Sequence, residues 1–178
     1  MALGVGTMAL VPQVVDAVGA IPVLAAGGIG DGRGLAAALA LGAQGVNLGT
    51  RFVASREASA DDKWKQALLA AESEDAVRFE EWRTIFPPAP GAYPATPRVL
   101  RSAFVEEWRG RPEAVKAESS KLHDELMSLV REHRLDKLLP FAGQTAGMVH
   151  DVLPADTIVR TIVAGAEQAL RRSVKLVG

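Results

Sequence analysis

The apolar and polar positions of this chain fall into two regimes. Before Arg51 the only charged residues are Asp16, Asp31 and Arg33, and short apolar runs alternate with glycine turns. Pro12 to Val18 reads as a helix closed by Gly19, with Pro22 leading into the unbroken apolar run Val23–Ala26. A run this short and continuous predicts a strand buried on both faces. Gly27 and Gly28 end it. Asp31 is placed to N-cap the next helix, and the alanine-rich run to Leu41 is a strong helix former. Gly42 stops that helix as a C′ residue does. Gly45–Leu48 predicts a second buried strand, closed by Gly49-Thr50.

After Ser55 the pattern becomes helical and charged. Ser59-Ala60-Asp61-Asp62 resembles a capping start, and Trp64, Leu68 and Ala71 share one face of the helix it opens. Val77 to Phe86 fits either an extended or a helical segment. Pro87-Pro88-Ala89-Pro90-Gly91, Pro94 and Pro97 form a stiff connector that excludes helix interior. Val99 to Trp108 reads as a helix. A longer one is expected from about Pro112 to His133, with Val115, Leu122, Leu126, Leu129 and Val130 as its apolar stripe. Pro140 to Gly147 reads as a loop. Pro154 to Arg172 reads as a last helix, with Ile158, Ile162, Ala166, Ala169 and Leu170 facing inward.

Composition narrows the function classes. A formal net charge of -1 gives no electrostatic case for nucleic acid or an anionic membrane surface. With no cysteine, disulfides, thiolate nucleophiles and Cys-based metal sites are excluded. Glycine and aspartate interrupt every long apolar stretch, and no basic, then apolar, leader follows Met1. A soluble, cytoplasmic protein is the expectation.

The two glycine turns carry the chemistry. Each follows a strand end, and one opens a helix. Such turns point backbone N–H groups at an anion, and a helix N-terminus adds partial positive charge. In a (β/α)₈ barrel the phosphate site is often built from the loops after strands seven and eight, and these two loops are read as that pair. The fold class is therefore α/β: the C-terminal part of a TIM barrel, its last two strands, plus a mostly helical extension. Residues 1–54 are read as partial barrel, 55–140 as the extension with its proline-rich connector, and 141–178 as a loop and a helix returning to the barrel. Simpler roles stand beside the functional ones. Gly27 and Gly28 could serve only a sharp strand-to-helix turn. Asn47 could satisfy backbone groups at a strand end, and Thr50 could cap a turn. Arg51 could supply charge or lie on the surface. His123 and His133 fall on a polar helix and read as solvated; His150 follows the Gly143–Gly147 loop. No carboxylate pair, Ser–His–Asp set or metal-ligand spacing emerges.

The blocks Ala25-Ala26-Gly27-Gly28-Ile29, Asp31-Gly32-Arg33-Gly34, Gly42-Ala43-Gln44-Gly45-Val46 and Gly49-Thr50-Arg51-Phe52, in this order and spacing, resemble the C-terminal half of the nitronate monooxygenase (2-nitropropane dioxygenase) family. Arg98-Val99-Leu100-Arg101, Phe104, Glu107-Trp108 and Gly143-Gln144-Thr145-Ala146-Gly147 extend the likeness more loosely. The resemblance implies an FMN-dependent TIM-barrel enzyme. It assigns Gly27, Gly28, Asn47, Leu48, Gly49 and Thr50 to the FMN phosphate and ribityl region, and Gln144 to the flavin ring. It implies no catalytic residue here, because the family's flavin-contacting Asn and Gly-Gly-His segment precede the part this chain resembles. Gly4-Val5-Gly6-Thr7-Met8 resembles the residues just after that segment.

The implied reaction is oxidation of an alkyl nitronate by O₂ through the flavin, yielding a carbonyl compound and nitrite. On this reading the chain is a C-terminal half, inactive alone, that either self-associates or joins a missing N-terminal barrel half. The ligand is a small nitronate-like molecule, with no nucleic acid and no membrane involved. The alternatives are a fragment of a flavin-dependent enoyl-ACP reductase, which shares the phosphate motif, a non-catalytic FMN- or phosphate-binding module, and a structural remnant with no ligand.

Overall fold

The computed structural model describes residues 4–92, 96–132, 134 and 139–177. The chain divides into two compact units, one of Met1–Ala58 with Asp151–Gly178 and one of Ser59–His150. His133 and Pro94 lie outside the described residues.

The first unit begins with α1, Thr7–Val18. It starts five residues earlier than the Pro12 onset read from sequence. Pro12 sits inside the helix, where it withholds one donor, and Gly6 is the extended N-cap residue. Gly19 closes the helix at φ +59°. Strand β1, Leu24–Ala26, then pairs in parallel with β2, Gly45–Asn47, in the register Leu24↔Gly45, Ala25↔Val46 and Ala26↔Asn47. Between them runs α2, Gly32–Ala40. A four-residue helix, α3, follows β2 at Thr50–Val53.

Burial on both faces is not what β1 has. Ala25 is 2% exposed and Leu24 is 64% exposed. Strand side chains alternate, and only one face of this two-stranded sheet is packed, by Val11, Ile29, Ala38 and Ala43. Strand β2 is likewise only half-buried, and Asn47 is exposed. The apolar run was a sound strand signal, but a run cannot say what covers its second face.

The last helix, α9, spans Ala155–Val177 and packs along α2. Gly32 permits the approach: a Cβ there would fall 2.4 Å from the Ala166 nitrogen and 2.6 Å from the Ile162 carbonyl oxygen. Ile158, Ile162 and Ala166 are buried as expected, but Leu170 is 37% exposed. It joins Val159, Val163 and Val174 in an apolar stripe beside the packed one.

The second unit is less purely helical than its sequence suggested. It holds α4 (Asp62–Leu69), β3 (Ala76–Arg78), α5 (Trp82–Ile85), β4 (Arg98–Leu100), α6 (Ala103–Trp108), α7 (Pro112–Ala117) and α8 (Ser119–Arg131). β3 and β4 pair antiparallel. The helix expected from Val99 to Trp108 is thus a strand and then a helix, with Ser102 capping α6 by accepting from the Val105 N–H. The single helix expected from Pro112 is two, interrupted at Glu118. Val77, Phe79, Ile85, Val99, Phe104, Val105, Val115, Leu122, Leu126 and Leu139 form this unit's core. Val130, expected on the buried stripe, is 42% exposed. No helix among the described residues is long and apolar enough to cross a membrane.

Candidate functional site

The parallel pairing sets the geometry. Ala26 and Asn47 are partners and both end their strands, so the two glycine loops leave one edge of the sheet side by side. Neighbouring strands lie about 4.8 Å apart, close enough for one small anion to meet both loops.

Gly27 and Gly28 have φ of +91° and +75°, a region that side chains with a Cβ adopt at a cost. Both are exposed. The Thr7 hydroxyl donates to the Gly27 carbonyl at 2.7 Å and to the Ala26 carbonyl at 3.3 Å, fixing the first loop against α1. At the sheet's other end the Gln44 side-chain carbonyl accepts from the Val23 N–H at 2.7 Å. Neither role had a signal in the sequence beyond a polar residue in an apolar block.

The first loop does not offer bare helix amides. Asp31 accepts from the Arg33 N–H at 2.9 Å and the Gly34 N–H at 3.4 Å, so α2 already has a carboxylate at its start. Partial burial pushes the Asp31 carboxyl up. The hydrogen bonds from the Arg33 side chain and from the Arg33 and Gly34 amides, with the Arg33 charge, outweigh it and hold the carboxyl below its usual range. A depressed folded pKa contributes stability that is present above the unfolded value and lost as pH falls through the folded one. Asp31→Ala should cost about 1 kcal/mol at neutral pH, and the gap to the parent should close in acid. Thermal unfolding at pH 7 and in acid checks both.

The second loop differs. No side chain caps α3. Gly49, its N-cap residue, has φ -88° and ψ -71°, a conformation open to any residue. A Cβ built on Gly49 meets no atom within 4 Å, and the same holds at Gly28. Neither backbone nor packing requires glycine at 49, and the residue is exposed, so the space beside it is open and has room for an anion or a cofactor phosphate. Leu48 turns inward onto the apolar cluster of the first unit, so only its backbone faces the loop. Thr50 opens α3, half-buried.

Arg51 is neither a surface residue nor a free charge. It is 7% exposed, and its guanidinium donates to the Asp151 carboxylate at 2.9 Å and to the Asp151 carbonyl at 3.0 Å. Gln144 belongs to the second unit, where it begins a short 3-10 turn, Gln144–Met148, and is exposed. His150 is also exposed. His123 is not simply solvated, because its ring lies against Phe86 at 4.9 Å. No cluster of metal-ligating side chains occurs among the described residues.

The loop-bearing unit is thus an α/β element with a two-loop cradle, and its sequence places it in a lineage. Residues 1–165 match the family model for nitronate monooxygenase. The chain belongs to the nitronate monooxygenase family. It is 38% identical over 162 residues to nitronate monooxygenase npaC of Metarhizium robertsii, covering 87% of this chain and 44% of that protein. Among solved structures it is similar to FabK from Thermotoga maritima, with TM-score 0.78, 32% identity, and 98% of this chain matched to 53% of that one. It is also similar to nitroalkane oxidase from Streptomyces ansochromogenes, with TM-score 0.69, 29% identity, and coverage of 95% and 46%. The chain therefore spans less than half of this family relative and about half of the solved chains. The family is one of oxidoreductases.

Proposed function

We propose that this chain supplies the flavin phosphate site of an FMN-dependent oxidoreductase of the nitronate monooxygenase type. The supporting observation is Gly49: an unconstrained backbone and an empty Cβ position, beside Gly28 at the end of a paired parallel strand. On this reading β1 and β2 are the last two strands of a (β/α)₈ barrel, whose phosphate loops lie at the strands' C-terminal ends. Family membership supports the reaction class. When bound, a flavin supplies the electron-accepting ring for oxidation of an alkyl nitronate by O₂.

The chain's own residues have narrower tasks. Backbone amides at Gly28, Gly49 and Thr50 face the phosphate. The Thr50 hydroxyl adds a donor, and Asn47, exposed at the end of β2, is placed for the ribityl region. No residue here is assigned as the base. The 178-residue chain with added FMN should therefore show no nitronate-dependent oxygen uptake above free flavin. Thr50→Ala removes one hydrogen bond to a charged group, worth about 1.5–3 kcal/mol. FMN affinity should fall roughly ten- to hundredfold, read by flavin fluorescence titration.

An enoyl-ACP reductase is the second reading, favoured by the match to FabK. Enoyl-thioester-dependent oxidation of a reduced nicotinamide, rather than nitronate-dependent oxygen uptake, in a protein carrying both barrel halves would select it.

A complementary barrel half is the partner this reading calls for. Among the described residues, the exposed large hydrophobic side chains other than Val130 and Met148 belong to the first unit. Leu24, Met8, Ile21 and Val174 are each at least 64% exposed, on a strand, two helices and a loop. The isolated chain is expected to bind a hydrophobic dye and to self-associate in sedimentation. A monomer with a cooperative transition and no dye signal would contradict this.

A further inference from the structure

We propose that Arg51 and Asp151 are a positioning pair that holds the Leu48–Thr50 loop in place for the flavin phosphate. The inference rests on the reading of that loop as a phosphate site, and it assigns Arg51 a role opposite to the obvious one. An arginine one residue from a phosphate loop would ordinarily be taken as a direct anion ligand.

Three observations carry it. First, the Arg51 guanidinium is already paired. Its side chain is 8% exposed and bonded to the Asp151 carboxylate at 2.9 Å, while the Asp151 side chain is 55% exposed. Second, the pair is bound to backbone as well as to charge. The same nitrogen donates to the Asp151 carbonyl at 3.0 Å and approaches the Ala54 carbonyl at 3.5 Å, so it ties the end of α3 to residue 151. Third, the tie is the first of a row. Ser55 bridges Leu153, the Arg56 N–H donates to the Leu153 carbonyl at 3.0 Å, and the Glu57 carboxylate accepts from the Ala155 N–H at 2.8 Å at the start of α9. The segment after the loop is thus laced to the segment that leads into α9, and the lacing begins at Arg51.

A four-residue helix has little stability of its own. Tertiary ties therefore hold α3 in register with β2, and the one at Arg51 lies nearest the loop. Loosening it lets the Gly49 and Thr50 amides drift from the phosphate, and a small displacement of a preorganised donor is enough to lose its contribution.

The two roles predict opposite effects of one substitution. Asp151→Asn removes a negative charge near the site and releases the guanidinium. If Arg51 binds phosphate directly, FMN affinity rises. If Arg51 acts through the pair, FMN affinity falls. Riboflavin, which lacks the phosphate, is the internal control for general unfolding.

The experiment is a titration of the 178-residue chain and its variants with FMN and with riboflavin, plus hydrogen exchange at the Phe52 and Val53 amides, which bond the Gly49 carbonyl. For Arg51→Gln and for Asp151→Asn, the FMN-to-riboflavin affinity ratio should drop about tenfold, the size of one charge-assisted hydrogen bond. The double variant should be no worse than either single one, Asp151→Glu should restore much of the ratio, and exchange at Phe52 and Val53 should quicken in both single variants. Tighter FMN binding by Asp151→Asn would overturn the proposal, as would unchanged exchange at Phe52 and Val53. A parent that prefers FMN, with an unchanged ratio in Arg51→Gln, would overturn the pair while leaving the phosphate site standing. A parent with no preference for FMN over riboflavin would overturn the phosphate reading and the proposal together.

Discussion

Gly49→Val is expected to abolish flavin binding while leaving thermal unfolding close to that of the parent. The separation of the two effects follows from the local geometry. At φ -88° and ψ -71° a valine meets no forbidden backbone region, and a Cβ at this position has no protein atom within 4 Å. On the proposed reading, what the side chain displaces is the ligand. Gly28→Val should also abolish binding, but with a stability cost. Its φ of +75° strains a β-branched residue by about 1–3 kcal/mol even though the surrounding space is open. Fluorescence titration with FMN and a thermal melt on each variant read the two quantities separately. If both variants bind FMN as tightly as the parent, the loops are turns only, and the flavin assignment loses its physical support.

Gly32→Ala is expected to produce the largest loss of stability of any single methyl addition in the first unit. The new Cβ would lie 2.4 Å from the Ala166 nitrogen, 2.5 Å from the Gly165 carbonyl carbon and 2.6 Å from the Ile162 carbonyl oxygen. All three are backbone atoms of α9, so no rotamer change relieves the contact. The helices must separate, and the burial of Ile162 and Ala166 is lost in part. A cost of about 3 kcal/mol or more is the scale of overpacking against rigid backbone. Denaturant unfolding checks it. Gly34→Ala is a milder contrast, since its nearest contact, at 2.9 Å, is the Ile29 Cγ2 methyl, and the nearest backbone atom, the Ile29 Cα, is 3.3 Å away. A Gly32→Ala variant as stable as the parent would mean that α9 does not pack on α2 at this register.

How much of this was legible beforehand depended on the range of the interaction. The Gly27-Gly28 turn and the Asp31 cap are local. Positive φ and a side chain two residues from the amide it accepts leave a mark on neighbouring residues, and both appear as the sequence implied. The four-block family likeness and the family assignment agree as well. Arg51 could not be read, because the group that buries it lies a hundred residues on, and nothing near Thr50 announces Asp151. Strand β4 was missed because three residues, Arg98–Leu100, run directly into a Ser102-capped helix and are too few to show an alternation. The reading of Val23–Ala26 as doubly buried failed for a related reason. Residue type reports that a side chain prefers to leave water, and the exposure of Leu24 reports whether a partner for it is present.

The discontinuity of the first unit has a kinetic consequence. Its opening βαβ segment leaves the ribosome well before α9, with the whole second unit made in between. Contacts so distant in sequence must wait for loop closure, and they slow folding accordingly. During that interval α2 presents Gly32 and the groove around it uncovered. Prior collapse of residues 59–150 would draw Ala58 and Asp151 together and shorten the search by α9. The folding rate of the first unit should therefore respond to substitutions in the second unit's core, such as Leu126→Ala.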